Sequence, residues 1–128
     1  MDKKRKPIIL VVDDNSGFLQ AVRMAFDSRD YSLFTALDGQ EGYDCAVKQH
    51  PDVIFTDVKM PNISGLEFLH KLLSDEKTKN IPVVIVTASH FDPSTEMVFK
   101  QENNVKGFLQ KPCPIDTLKD AVAEIVNK

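Results

Sequence analysis

Four short apolar runs punctuate the chain: Ile8-Ile9-Leu10-Val11-Val12, Val53-Ile54-Phe55-Thr56, Val83-Val84-Ile85-Val86 and Gly107-Phe108-Leu109-Gln110. Runs this short, separated by amphipathic stretches, read as buried parallel strands. A weaker strand signal spans Tyr31 to Ala36, where Ser32 and Thr35 dilute the apolar pattern. Between the runs the period changes. Residues 16–28 carry Ala21, Val22, Ala25 and Phe26 at helical spacing. A second helix is expected from the Asp38-Gly39 turn to about His50, ended by Pro51-Asp52. Leu66, Phe68, Leu69, Leu72 and Leu73 mark a third helix after a loop over 58–65, and the polar stretch 74–80 is a second loop. A fourth helix is expected over 94–103, starting at Asp92-Pro93 or Ser94. Val105 to Leu109 makes the last strand, and Ile115, Leu118, Ala121, Val122 and Ile125 set a fifth helix over 114–127. Strand and helix thus alternate about five times, which predicts an α/β fold, a parallel sheet with helices on both faces.

The residues that end these runs carry the chemistry. Asp13 and Asp14 follow the first run, Asp57 the second, and Thr87 closes the third, while Lys111 comes just after the fourth. In an open α/β sheet, ligands bind at the carboxyl ends of the strands, so these groups should meet on one rim. Taken singly, each has an ordinary explanation: Asp13 or Asp14 as a helix N-cap, Asp57 as a loop acid, Thr87 as a β-branched strand residue, Lys111 as a solvated lysine. Their shared position at one end of successive strands is what sets them apart. Two carboxylates about 5 Å apart repel by roughly 3 kcal/mol at an effective dielectric near 20. A cation among them offsets that cost, and Mg²⁺ suits one or two carboxylates plus phosphate oxygens. A lysine beside them suits an arriving anion. Phosphoryl handling with a divalent metal is the chemistry implied.

Composition narrows the field without redirecting it. The length of 128 residues suits one domain, expected over 1–128 with its core at about 8–126, and there is no linker, repeat or low-complexity tract. With 42% hydrophobic and 27% charged residues the chain is globular rather than disordered. A net charge of −3 argues against nucleic-acid binding. The single basic run, Lys3-Lys4-Arg5-Lys6, reads as a frayed, solvated N-terminus and not as a signal peptide, since Asp13-Asp14 interrupts the apolar segment behind it. No apolar stretch approaches the ~20 residues needed to span a bilayer. Cys45 and Cys113 lack metal-ligand spacing, so reduced thiols in a cytoplasmic compartment are expected.

The set Asp13-Asp14, Asp57 followed by Met60-Pro61 and Gly65, Thr87-Ala88, and Lys111-Pro112 resembles the receiver domain of bacterial two-component response regulators, over about Ile8 to Val126. The resemblance implies a flavodoxin-like, doubly wound five-stranded parallel sheet in the order 2-1-3-4-5, with five flanking helices. It implies that Asp57 is the phosphoacceptor, charged by a histidine kinase or a histidine phosphotransfer protein. Mg²⁺ would be bound by Asp14 and Asp57 directly, by Asp13 through a water, and by the backbone carbonyl of Lys59. Lys111 would pair with Asp57 at rest, and Thr87 would donate its hydroxyl to a phosphoryl oxygen. Phe108 occupies the switch-aromatic position, without the hydroxyl that a tyrosine there would carry. The Lys111-Pro112 peptide would be cis. A downstream protein, unknown from sequence, would read the surface of the fourth helix, last strand and fifth helix. Lys59 and Ser89 stand at positions that tune phosphoryl lifetime, and Phe18 and Leu19 at positions that could contact the phosphodonor protein. With no output domain after the fifth helix, the chain is expected to be either a stand-alone receiver or part of a longer protein.

Other functions fit less well. An α/β phosphatase or phosphotransferase with an aspartyl nucleophile places a D-x-D motif after its first strand, whereas here the two acids are contiguous. A nucleotide or flavin binder would need a phosphate-cradling loop, and Asp-Asp-Asn-Ser-Gly would repel phosphate. A receiver that is never phosphorylated and acts as a docking scaffold is the third reading, which the complete acid set disfavours.

Overall fold

A computed structural model describes residues 6–58, 64–87, 97, 101–111 and 114–126. Five strands, β1 (Ile8–Val12), β2 (Ser32–Ala36), β3 (Val53–Thr56), β4 (Val83–Thr87) and β5 (Val105–Gln110), form one sheet. All pairs are parallel, and the order is β2-β1-β3-β4-β5. The described helices are α1 (Ser16–Ala25), α2 (Gly39–Gln49), α3 (Gly65–Leu73) and α4 (Ile115–Val126), the last being the expected fifth helix of the chain. The helix expected over 94–103 falls mostly outside the described residues, and its final part, 101–103, is turn. Among the described residues no helix is long and apolar enough to cross a membrane.

Side-chain alternation divides the core between the two faces of the sheet. Leu10, Val12, Ile54, Val83 and Ile85 pack with Phe68, Leu69 and Leu72 of α3 and Ala46 of α2. Ile9, Val11, Val53, Phe55, Val84 and Val86 pack with Leu19 and Val22 of α1 and Leu118 and Val122 of α4. Burial on both faces is why β1, β3 and β4 do not alternate with polar residues: β1 is apolar throughout, and β3 and β4 are apolar up to the buried threonine that ends each, Thr56 and Thr87. One irregularity lies between Val83 and Val84, where β5 uses an extra residue: Val83 pairs with Val105 but Val84 with Gly107.

Helix ends follow from local chemistry. In α1 the cap is Asn15, whose side chain accepts the Phe18 N–H at 3.0 Å. The helix stops at Ala25, short of the expected residue 28, and its inner face is Leu19, Val22 and Phe26, with Ala21 exposed. A step of 3.6 residues carries 19 to 22 to 26, and residue 21 lies off that line. Asp38 caps α2, and His50 closes it in the left-handed conformation at φ 51° before Pro51. Ser64 and Glu67 form a reciprocal capping box at the start of α3. Thr78, buried, donates its hydroxyl to the Leu72 carbonyl at 2.7 Å and satisfies the far end of that helix.

Candidate functional site

Backbone ladder bonds bring the acids to one rim. The Asp13 N–H donates to Ala36 at the end of β2, and the Asp57 N–H to Val12 at the end of β1, each at 3.0 Å. The Lys111 N–H donates to the Thr87 carbonyl at 2.9 Å, which ties the end of β5 to the end of β4. Carboxylate oxygens of Asp13, Asp14 and Asp57 come within 4.8 Å of one another. Asp13 is buried, Asp57 half-buried and Asp14 exposed. An all-oxygen set of this charge and spacing fits a hard divalent cation. Neither acid caps α1, because Asn15 does so, and both are left for the site.

Each acid is held differently. Asp13 accepts the Asn15 N–H on Oδ1 at 2.9 Å and the Lys111 Nζ on Oδ2 at 2.6 Å. Burial pushes the Asp13 carboxyl above its ordinary range, against the lowering effect of Lys111 and the Asn15 N–H, and the charge of Asp57 adds to the rise. Asp57 accepts the N–H of Val58 on Oδ1 at 2.6 Å, and its Oδ2 lies 3.7 Å from Lys111 Nζ. The resemblance implied Asp57 as the resting partner of Lys111, yet the shorter contact is to Asp13. The buried acid has more to gain from the ammonium, since it cannot reach water. Thr87 is buried at the end of β4, and two residues before it Ile85 pairs in register with Phe108. Phe108 is half-buried against the α2 and α3 side of the core.

Other expected positions separate. Leu19 is 1% exposed, so it packs in the core and cannot meet a partner protein. Phe18 is half-buried, with the Lys111 ammonium 4.2 Å above its ring. Lys59, Met60, Pro61, Ala88, Ser89 and Pro112 lie outside the described residues, and with them the Lys59 carbonyl and the Lys111-Pro112 peptide. Sequence reasoning missed the roles of Asn15 and Phe18 in the site. The available signal was an Asn directly before a helical stretch, with Phe18 three residues on in the first turn.

Comparisons with known proteins agree with this arrangement. The family model described as the response regulator receiver domain matches residues 9–123. The chain is 38% identical over 122 residues to hybrid signal transduction histidine kinase D of Dictyostelium discoideum, which covers 95% of this chain and 8% of that much longer protein. It is 28% identical to protein PilH of Pseudomonas aeruginosa, covering 92% of this chain and 96% of PilH. Among solved structures, the chemotaxis response regulator CheY4 of Vibrio cholerae superposes with a TM-score of 0.83 at 29% identity, covering 94% of this chain and 98% of that one.

Proposed function

The chain belongs to the response regulator receiver domain family, and on that footing we propose that Asp57 accepts a phosphoryl group from a phosphohistidine on a histidine kinase or histidine phosphotransfer protein. The observation that carries this reading is the way Asp57 is held. Its Oδ1 is engaged by the Val58 N–H, while Oδ2 faces the Lys111 ammonium at 3.7 Å. Oδ2 is therefore the attacking atom. As its bond to phosphorus forms, the bond from phosphorus to the imidazole nitrogen breaks, and the electron pair leaves with that nitrogen. Lys111 then meets the charge on the transferred oxygens, moving from Asp13 toward the new phosphoryl group. Thr87, at the neighbouring strand end, supplies its hydroxyl to another of those oxygens.

Asp13, Asp14 and Asp57, with the Lys59 carbonyl, would hold Mg²⁺, whose charge would offset that of the carboxylates and of the phosphoryl oxygens. The protein acts as a phosphoacceptor that promotes its own aspartyl phosphorylation and hydrolysis, not as an enzyme turning over a separate substrate. A cytoplasmic location fits such an exchange with a kinase. The modified state is read by a downstream protein at the surface of β5, α4 and the stretch 94–103.

Acetyl phosphate with Mg²⁺, followed by intact-mass measurement, tests the assignment. Wild type should gain a single phosphoryl adduct, and Asp57→Asn should gain none. Stoichiometric labelling of Asp57→Asn would overturn the assignment, and steady turnover of an added phosphate ester would favour the phosphatase reading instead.

A further inference from the structure

Resting on that reading of Asp57 and Lys111, we infer that Phe18 is a positioning residue, one that holds the Lys111 ammonium over the site through its ring face. Lys111 Nζ lies 4.2 Å from the ring centroid, 2.6 Å from Asp13 Oδ2 and 3.7 Å from Asp57 Oδ2. An ammonium carries three N–H donors and no acceptor. Here two carboxylates and one π face surround it, and the lysine side chain is only 15% exposed. A lysine head is strongly hydrated on a flexible four-carbon stem, so at an open rim it would otherwise extend into water.

The chemical type of the third partner matters. Another carboxylate at position 18 would also attract Lys111, but it would add negative charge where Asp13, Asp14 and Asp57 already converge. An aromatic face attracts the cation and brings no net charge. That attraction persists to about 6 Å from the centroid, so the ammonium can move from Asp13 toward a phosphoryl group on Asp57 without leaving the ring. The ring itself is well placed. Asn15, which starts α1, accepts the Phe18 N–H at 3.0 Å and so fixes Phe18 in the first turn, directly after Asp13 and Asp14. The Phe18 side chain also packs against the Leu19, Val11 and Phe55 side of the core.

Two measurements test the inference, and a small-molecule donor removes any part that Phe18 plays in docking a partner. In the first, the rate of Asp57 phosphorylation by acetyl phosphate and Mg²⁺ is compared across variants. Phe18→Leu should be slower by about three- to tenfold, Phe18→Tyr should stay near wild type, and Phe18→Leu should cause no further slowing in a Lys111→Met background. In the second, the ε-methylene protons of Lys111 are observed by NMR in the metal-free, unphosphorylated protein. Ring current should place them upfield of the other lysines in wild type and Phe18→Tyr, and at the ordinary lysine position in Phe18→Leu. An unshifted Lys111 resonance in wild type, or equal slowing by Phe18→Leu with and without Lys111, would overturn the inference. If wild type took no phosphoryl group at Asp57, the functional reading would fail separately, and the resonance position would still decide the role of Phe18.

Discussion

The α-carbon of Gly65 lies so close to the main chain of Asp57 that a Cβ on it would stand 2.7 Å from the Asp57 carbonyl oxygen, and 2.8 Å from the Val58 α-carbon. The Gly65 N–H also donates to the Val58 carbonyl at 2.7 Å. The first residue of α3 is thus clamped against the segment that carries Asp57. Both crowding atoms are backbone and cannot swing aside. We expect Gly65→Ala to lower stability by about 1–3 kcal/mol, as overpacking does, and to slow labelling of Asp57 as well. Thermal denaturation and acetyl phosphate labelling of the same sample check this; an unchanged melting temperature would mean the loop yields freely.

Asp13 and Asp14 should separate by burial. Asp14 is exposed, whereas both oxygens of buried Asp13 already have partners in Asn15 and Lys111. Asp14→Ala should weaken Mg²⁺ binding more than Asp13→Ala does. It should also raise the stability of the metal-free protein by a few tenths to about 1 kcal/mol, by removing one of three mutually repelling carboxylates. Asp13→Ala should not stabilise, because it strips Lys111 of its shorter partner and the Asn15 N–H of its acceptor. Mg²⁺ titration and metal-free melting curves give both readings, and equal affinities in both variants and wild type would place the metal elsewhere.

Thr87 and Phe108 are joined along the β4–β5 ladder, since Ile85 pairs with Phe108 and Thr87 with Gln110. Phosphorylation adds roughly −2 charge and strong acceptor oxygens at Asp57. A Thr87 hydroxyl drawn toward them pulls the end of β4, and the half-buried Phe108 ring can then turn further inward. Fully burying a phenylalanine gains roughly 1.5–3 kcal/mol relative to exposure, and a fraction of that shifts a two-state population several-fold. Thr87→Ala should therefore still be phosphorylated at Asp57 while losing most amide shifts around Phe108. Spectra of the beryllofluoride-bound forms decide it, and wild-type shifts in Thr87→Ala would exclude this coupling.

Away from the site, the Tyr43 hydroxyl donates to Asp75 Oδ2 at 2.6 Å and joins α2 to the turn that follows α3. This bond holds the Asp75 carboxyl below its ordinary range and the Tyr43 phenol above its own. The depressed acid contributes stability that is present above the unfolded pKa and lost as pH falls through the lower folded one. The raised phenol contributes stability that is present below its unfolded pKa, near pH ~10, and lost as pH rises through the higher folded one. Tyr43→Phe should thus lower stability across the neutral range, with the gap to wild type closing at both pH extremes. Urea unfolding at acidic, neutral and strongly alkaline pH measures that gap, and a constant difference would show that the bond is not the cause.

Much of the architecture is legible along the chain because β1, β3 and β4 are buried on both faces and leave uninterrupted apolar runs. Where burial is uneven the pattern blurs. On α1 the expected Val22, Ala25 and Phe26 do pack in the core, but Ala21 is exposed and the inner position of the first turns is Leu19, which its place in the sequence offers equally well as a surface contact. Near the site the local signals were ambiguous in a different way: Asp13, Asp14 and Asn15 are all good caps, and only the fold shows Asn15 taking that task.

By itself, the sequence determined the order of the elements, the parallel sheet and the arrival of Asp13, Asp14, Asp57, Thr87 and Lys111 at one rim. The physical reason is that strand ends are written locally, by the stop of an apolar run at a polar residue, and parallel winding points every such end the same way. Only the tertiary structure decided which acid Lys111 holds most closely, that Phe18 covers its ammonium, and that Gly65 abuts the Asp57 main chain. Lys111 and Asp13 are separated by 98 positions in the chain, yet their side chains meet at 2.6 Å. Differences of an ångström between such partners depend on how helices pack across the sheet, and no local pattern of polar and apolar residues encodes that distance.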